Sequence, residues 1–405
     1  MEGYIKLGNA FNLIGGGTPS TNKTEYWGTG VPWISSADID TQGKIRFRRS
    51  ATKQGISEST TNVVPSGTVI VVTRVGLGKV AKTPCEMCFS QDIQALLAKR
   101  DLELFNTDFL MYQLSYIMQQ LKYKGRGTTI SGITKKQLCD IELYSPPKIE
   151  QERIVARIEE LFSQLDSGVA TLITVKQQLE VYRQAVLKEA FEGTLTGVKP
   201  YTVKGLGEYI EPPRYGTSKK CSYNTAEGHI QVYRIPNIDH AAGRIEHSDI
   251  KYAAFTEQEL EGIKLKEGDI LIIRSNGSIS LVGRAAMVYD VDTNGTFAGY
   301  LMRLRIRDIE KMKPKYLLWF LHSHSARIYI EGKAKSTSGV HNINSKEISK
   351  IPIPFFSPIE QSQIVQAIET RLSICDDIEK TVDTALQQAV AMRQSILKQA
   401  FEGGL

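Results

Sequence analysis

The sequence predicts an α+β fold: two mixed α/β globular units joined by two long helices that form an antiparallel coiled coil, with a pseudo-twofold internal repeat. Three observations carry this. The 405-residue length exceeds one ordinary core and suggests two or three domains at about 150 residues each. Residues 149–195 align without a gap to 359–405, and by direct count 22 of 47 positions are identical. Both copies lack proline after their first residues and repeat apolar residues every seven positions.

The globular units echo each other more faintly. Val31 to Asp40 resembles Ile230 to Asp239, Gly43-Lys44-Ile45 recurs as Gly243-Arg244-Ile245, and Ile133 to Lys136 corresponds to Ile343 to Lys346. The implied boundaries are 1–147, 148–195, 196–356 and 357–405. Val69–Val72 and Ile270–Ile273 are β-branched runs that read as strands. Phe109 to Leu121 and Tyr316 to Ile330 read as helices, and Gly15 to Ser20 as a loop.

In the repeated pair, heptad position a runs through Ile158, Leu165, Leu172, Leu179 and Val186, and through Ile368, Cys375, Val382, Ala389 and Ile396. Position d runs through Leu161, Gly168, Val175 and Tyr182, and through Ile378, Ala385 and Met392, with Arg371 interrupting. Such spacing makes a coiled-coil seam. Ser357-Pro358-Ile359-Glu360 is a capping box with proline at the first helical position, while Pro147 takes the cap place of the first copy. Gly193 and Gly403 follow the last periodic residues, as helix ends prefer. About 44 helical residues would span ~66 Å, too long for one globular unit to cover. Pairing the two helices buries both seams, and the chain path makes the pair antiparallel.

Composition excludes several classes. Apolar residues are 41% and charged residues 23%, as in a globular protein. No apolar stretch approaches the ~18 residues of a membrane span, and the N-terminus does not read as a signal peptide. Five cysteines, an odd and small number, argue against a disulfide framework and for the cytoplasm. No phosphate-binding Gly-rich motif has the required spacing. Cys85-Glu86-Met87-Cys88 lacks a second pair of ligands, and no metal is expected. His322-Ser323-His324 lies in an apolar helix and reads as structural.

The net charge of +6 permits an anionic partner, and basic residues gather in corresponding loops. Lys44, Arg46 and Arg48 stand in a stretch without acids. Lys124 and Arg126 precede Gly127-Thr128-Thr129, and Lys333 and Lys335 precede a Ser/Thr/Gly loop. Arg74 and Lys79 follow one strand; Arg274 and Asn276 follow its counterpart. Arg234, Asn237 and Arg244 complete the set. Arginine and lysine neutralise phosphates, whereas Arg and Asn pair with base edges in the major groove. These residues are the candidate DNA contacts, with Lys124, Arg126, Lys333 and Lys335 assigned to phosphates and Arg74, Arg234, Asn237, Arg274 and Asn276 to base edges.

This layout resembles the specificity (S) subunit of type I restriction-modification systems over essentially the whole chain. The resemblance rests on Gly16 to Ser20, Trp33-Ile34 with Asp38-Ile39, Glu150-Gln151 with Ile154-Val155, and the endings Arg183 to Leu195 and Arg393 to Leu405. It implies two target recognition domains on double-stranded DNA, each reading half of a bipartite sequence. It implies a coiled coil that sets the spacing and docks two methyltransferase (M) subunits, with restriction (R) subunits joining through them. It also implies a non-catalytic chain without its own cofactor, S-adenosylmethionine belonging to the M subunits and ATP to the R subunits.

Overall fold

The computed structural model describes residues 3–99, 104–124, 132–337 and 339–403. Contacts divide the chain into two units, residues 1–172 with 384–405, and residues 173–383.

In the first unit, strands Phe11–Gly15, Ile93–Ala98, Val69–Val72 and Val80–Lys82 form an antiparallel sheet in that order. A second sheet orders Arg49–Ala51, Trp27–Ile34, Met87–Phe89 and Val63–Val64. Val69–Val72 is buried throughout, so it shows no alternation. Val69 and Val71 meet Leu110, Leu114 and Met118 of helix Thr107–Lys124. Ile70 and Val72 meet Ile34, Met87 and Phe89 of the other sheet.

The second unit repeats the arrangement. Its six-stranded sheet runs Arg214–Tyr215, Leu301–Leu304, Ile270–Ile273, Ala285–Met287, Arg244–Ile245, Ile238–Asp239. Ile270 and Ile272 face helix Pro314–His322, while Leu271 and Ile273 face Tyr233 and Phe297. The single helix expected from Tyr316 to Ile330 is two, because Ser323 takes an extended conformation and its Oγ accepts from the Ala326 amide, starting helix His324–Lys333.

The long helices are Lys148–Glu192 and Pro358–Glu402, 45 residues each. Ser357 and Glu360 cap each other reciprocally. Buried Gln151 takes the Asn106 amide and donates to the Leu104 and Pro146 carbonyls. Gln361 does the same with Lys313, Lys311 and Phe356. Each glutamine satisfies backbone groups that would otherwise be stranded in the core where the helix begins.

Within each unit the helices pair antiparallel. In the first, Ile154, Val155 and Ile158 pack with Leu397 and Ala400, and farther along Arg393 stacks on Phe162 and pairs with Asp166 at 3.0 Å. In the second, Val186, Leu187 and Ala190 pack with Ile364, Val365 and Ile368. Arg183 pairs with Asp376 at 2.7 Å and Lys176 with Asp383 at 2.8 Å.

The a positions are all buried or half-buried: Ile158, Leu179, Val186, Ile368, Cys375, Val382 and Ile396 fully, Leu165, Leu172 and Ala389 in part. The d stripe lines the seam only in part, with Leu161, Val175 and Ala385 half-buried. Tyr182, Ile378 and Met392 are exposed at 47%, 40% and 55%. The second stripe lies one residue later, through Val155, Phe162, Val169, Lys176, Arg183 and Ala190, and Val365, Leu372, Glu379, Leu386, Arg393 and Ala400. Lys176, Arg183, Glu379 and Arg393 of this stripe are charged and pair across the seam, which hid the stripe from an apolar count. No helix among the described residues is long and apolar enough to cross a membrane.

Candidate nucleic-acid interface

Strand direction decides which loops share an end of each main sheet. In the second unit Ile273 lies opposite Leu301, Ile272 opposite Ala285, and Tyr215 opposite Met302. Arg274, Arg284, Tyr300 and the loop Gly216 to Lys220 therefore emerge together. The turn His240 to Gly243 joins them, since it precedes strand Arg244–Ile245, which runs parallel to Ala285–Met287 with Arg244 opposite Met287. The hairpin Lys335–Thr337 and Val340–Asn342 pairs with Ser275–Asn276 at the same end.

These loops enclose a cleft of 530 Å³ whose lining includes Ser218, Lys219, Arg234, Lys251, Arg274 and Tyr300. Arg274 lies 4.6 Å over the Tyr215 ring and donates to the Gly299 carbonyl at 3.1 Å. Arg234 donates to the Asp249 carboxylate at 2.7 Å. Hydrogen bonds from Tyr223 and Arg234 hold the Asp249 carboxyl below its usual range. Lys251 sits over Tyr223 and Lys219 over Phe255. A cleft of cations laid against aromatic rings attracts phosphates and offers planar surfaces to bases.

The first unit places its own loops at the same end: Gly16 to Ser20, Arg74 to Lys79, Ser90 to Asp92 and the turn at Lys44. A 670 Å³ groove there includes Trp27, Phe47, Arg48 and Arg49. Arg49 lies 5.6 Å over Trp27, and Arg48 pairs with Asp38 at 3.0 Å. A Cβ on Gly16 would stand 2.2 Å from the Phe89 carbonyl, and one on Gly216 2.2 Å from that of Phe297. Both loops thus start where only glycine lets the backbone pass.

The hydrogen bonds match the two frames residue by residue. Ser35 and Arg234 each donate their amide to a side chain three residues on, Asp38 and Asn237. The Thr73 and Arg274 amides each donate to the carbonyl of the residue before the neighbouring antiparallel strand of the sheet, Asp92 and Tyr300. Lys79 and Arg284 each precede the strand that follows. The frame repeats while the side chains it presents differ: Ser35 for Arg234, Thr73 for Arg274, Asp92 for Tyr300.

Not every candidate faces outward. Asn237 is fully buried, and its amide donates to the Glu246 and Asp249 carbonyls, so it shapes the loop and cannot meet a base. Lys79 turns inward and donates to the Ser36 carbonyl at 2.9 Å. Arg74 is exposed beside Asp92 at 3.7 Å, and Arg244 beside Asp239 at 3.9 Å. Lys44, Arg46, Lys333 and Lys335 are exposed. Asn276 is half-buried and accepts from the Ser278 amide. Lys124 ends its helix, and Arg126 with Gly127-Thr128-Thr129 lies outside the described residues. Lys219, Lys251 and Tyr300 escaped the sequence reading, because an isolated lysine or tyrosine carries no motif. Cys88 is buried beside Trp33 and Ala51, where burial pushes its thiol up to about 12.

Residues 3–177 and 196–388 match the type I restriction modification DNA specificity domain. The chain belongs to that family. It is 32% identical over 289 residues to the Escherichia coli type I restriction enzyme EcoKI specificity subunit, covering 69% of this chain and 61% of that subunit. It is 27% identical over 384 residues to the Salmonella potsdam StySPI specificity subunit, covering 92% and 81%. The fold matches a chain solved in work on complex assembly and conformational transition of the type I R-M system, at a TM-score of 0.72 and 21% identity over 100% and 99% of the two chains. It also matches the HsdS subunit of Thermoanaerobacter tengcongensis at a TM-score of 0.53 and 21% identity, over 99% and 97%. Two type I specificity domains, each with a basic and aromatic sheet end, therefore make up most of the chain.

Proposed function

We propose that this chain is the non-catalytic, cytoplasmic DNA-recognition subunit of a type I restriction-modification complex. Each specificity domain, residues 1–147 and 196–356, reads one half of a bipartite double-stranded target. The observation that carries this is the pair of corresponding sheet ends, alike in the backbone hydrogen bonds at Ser35 and Arg234 and at Thr73 and Arg274 and different in the side chains presented. A reader of two unlike half-sites needs that combination.

Arg74, Arg234, Arg274 and Asn276 are assigned to base edges, with Tyr300 beside them. Lys44, Arg46, Arg48, Lys124, Arg126, Arg244, Lys333 and Lys335 are assigned to phosphates. Spacer segments 148–195 and 357–405 set the distance between half-sites and dock two methyltransferase subunits, through which restriction subunits join. Exposed apolar residues such as Val181, Tyr182, Ile374 and Ile378 support the docking role. S-adenosylmethionine and ATP are assigned to those partners.

Titration of duplexes by the full chain at several salt concentrations tests the reading. Arg274→Ala is expected to lose ~1–3 kcal/mol at one base pair, and Lys335→Ala to weaken all sequences alike with a salt slope smaller by about one. Binding that ignores salt, or methyl transfer by the purified chain alone, would overturn it.

A further inference from the structure

Phe47 stands apart among the apolar residues of the first domain. It is 49% exposed, and among the described residues no aromatic ring or core cluster takes up its side chain. A lone exposed ring is ordinary on a protein surface, but the neighbours of this one are not. Arg46, Arg48 and Arg49 flank it, all exposed, and no acid occurs in the sequence from Thr41 to Ser57. The segment is also fastened on both sides of the ring. The Arg46 amide donates to the Asp38 carbonyl at 2.8 Å, Arg48 pairs with Asp38 at 3.0 Å, and Arg49 lies opposite Trp33 in strand Arg49–Ala51. Phe47 shares the 670 Å³ groove with Trp27, which stands edge-on to Trp33 at 5.2 Å and donates to the Ser20 carbonyl at 3.1 Å. The groove is thereby tied to the loop that begins at Gly16.

The second domain uses the same position differently. The Glu246 amide donates to the Asn237 carbonyl at 2.9 Å, as the Arg46 amide does to that of Asp38, and this sets His247 against Phe47. His247 is tied down: its Nε2 lies 2.7 Å from the carboxylate of buried Asp292, and its ring meets Tyr233 edge-on at 5.8 Å. Its neighbours are Glu246, Ser248 and Asp249 in place of the three arginines. One frame therefore carries a tethered polar ring beside acids in the second domain and a free apolar ring among cations in the first.

We propose that Phe47 is a wedge that enters the base stack of the first half-site and kinks the duplex there. This rests on the reading of the chain as a DNA-recognition subunit. The surrounding arginines favour an anionic partner, and the apolar surface that a duplex offers to a ring is the face of its stacked bases. Opening a step costs unstacking energy, which is offset by removing the ring from water and by the contacts that bent DNA allows. The wedge belongs to the first domain alone, since His247 is held by Asp292. It also adds a kind of specificity that no hydrogen bond to a base supplies: the kinked position favours a pyrimidine–purine step, which unstacks most easily.

The test uses the full chain and a duplex carrying its methylated target, with two dyes flanking the first half-site. Energy transfer between the dyes reports the bend, and anisotropy at several salt concentrations reports affinity. The parent should bend the half-site by about 20–90°. Phe47→Ala should lose the bend and bind roughly tenfold more weakly. Its salt slope should equal the parent's, because no phosphate contact has been removed. Phe47→Leu, which keeps an apolar wedge, should retain most of the bend. 2-Aminopurine placed in turn along the first half-site should brighten at one step with the parent and at none with Phe47→Ala. Melting curves confirm that each variant is folded. A straight first half-site with the parent, or a bend that survives Phe47→Ala, would overturn the proposal while leaving DNA recognition intact. Absence of salt-dependent binding by the parent would instead overturn the underlying reading. If Phe47→Ala keeps the parent's DNA affinity and bend but no longer co-purifies with the methyltransferase subunits, the ring is a protein contact and the wedge fails.

Discussion

Asn237 and Arg274 show what a candidate residue can and cannot reveal from sequence. Both types pair with base edges, and both stand in a loop after a strand. The structure buries Asn237 as the third residue of a one-turn helix, bonded back to Arg234, while Arg274 lies on Tyr215 at the cleft. Asn237→Ala should therefore cost ~1–3 kcal/mol of stability and leave the pattern of base-pair discrimination unchanged. Denaturant melts and mismatch titrations would separate the two roles. Which side chain turns inward depended on hydrogen bonds to Glu246 and Asp249, nine and twelve residues away, that no local pattern records. His322 was legible: an apolar helix implied a structural histidine, and it is fully buried against the Ala285 carbonyl. Burial lowers its pKa to about 4. The unfolded chain then binds a proton that the folded chain refuses, so stability falls as pH drops from about 6.5 toward 4, by about 3 kcal/mol in all. The stability gap between the parent and His322→Gln should narrow over that range. A gap constant with pH, followed by denaturant melts, would contradict the assignment.

At the scale of elements, the strands and long helices were readable because their signals are local. Val69–Val72 and Ile270–Ile273 announce buried strands by β-branching, and Ser357 with Gly403 marks the bounds of the second long helix. The helix seam was half-readable. Position a is apolar throughout, but its companion stripe carries Lys176, Arg183, Glu379 and Arg393, whose partners lie on the other helix. A count of apolar heptads therefore preferred the partly exposed d stripe. Ile368→Ala, at a buried seam position, should cost about 2–5 kcal/mol. Ile378→Ser and Met392→Ser should change stability by no more than about 0.5 kcal/mol. If these last two also weaken capture of the methyltransferase subunit, measured by co-purification of the complex, the exposed stripe is a partner surface. Large stability losses from them would return the d stripe to the seam.

At the scale of the molecule, the repeat was the most legible feature, since it needs only the chain compared with itself. The functional division was legible too: helices that stayed alike beside globular units that did not. The shared end of each sheet was not, because it depends on strand order and direction that loops of varied length conceal. If the long helices act as a ruler, one heptad added to each, for example after Leu172 and after Val382, lengthens the spacer by ~10 Å, about three base pairs. The half-sites should keep their bases and lose their old spacing. A methylation map of the assembled complex showing the original spacing would refute the ruler.

The central claim, that each specificity domain reads one half of a divided target, is tested most directly by exchanging residues 1–145 for the same region of a related chain. The hybrid is assembled with its methyltransferase subunits and its methylated sites are mapped across a genome. The account predicts one new half-site, the other half unchanged, and the spacing retained. A map in which both halves change together, or neither changes, would contradict it.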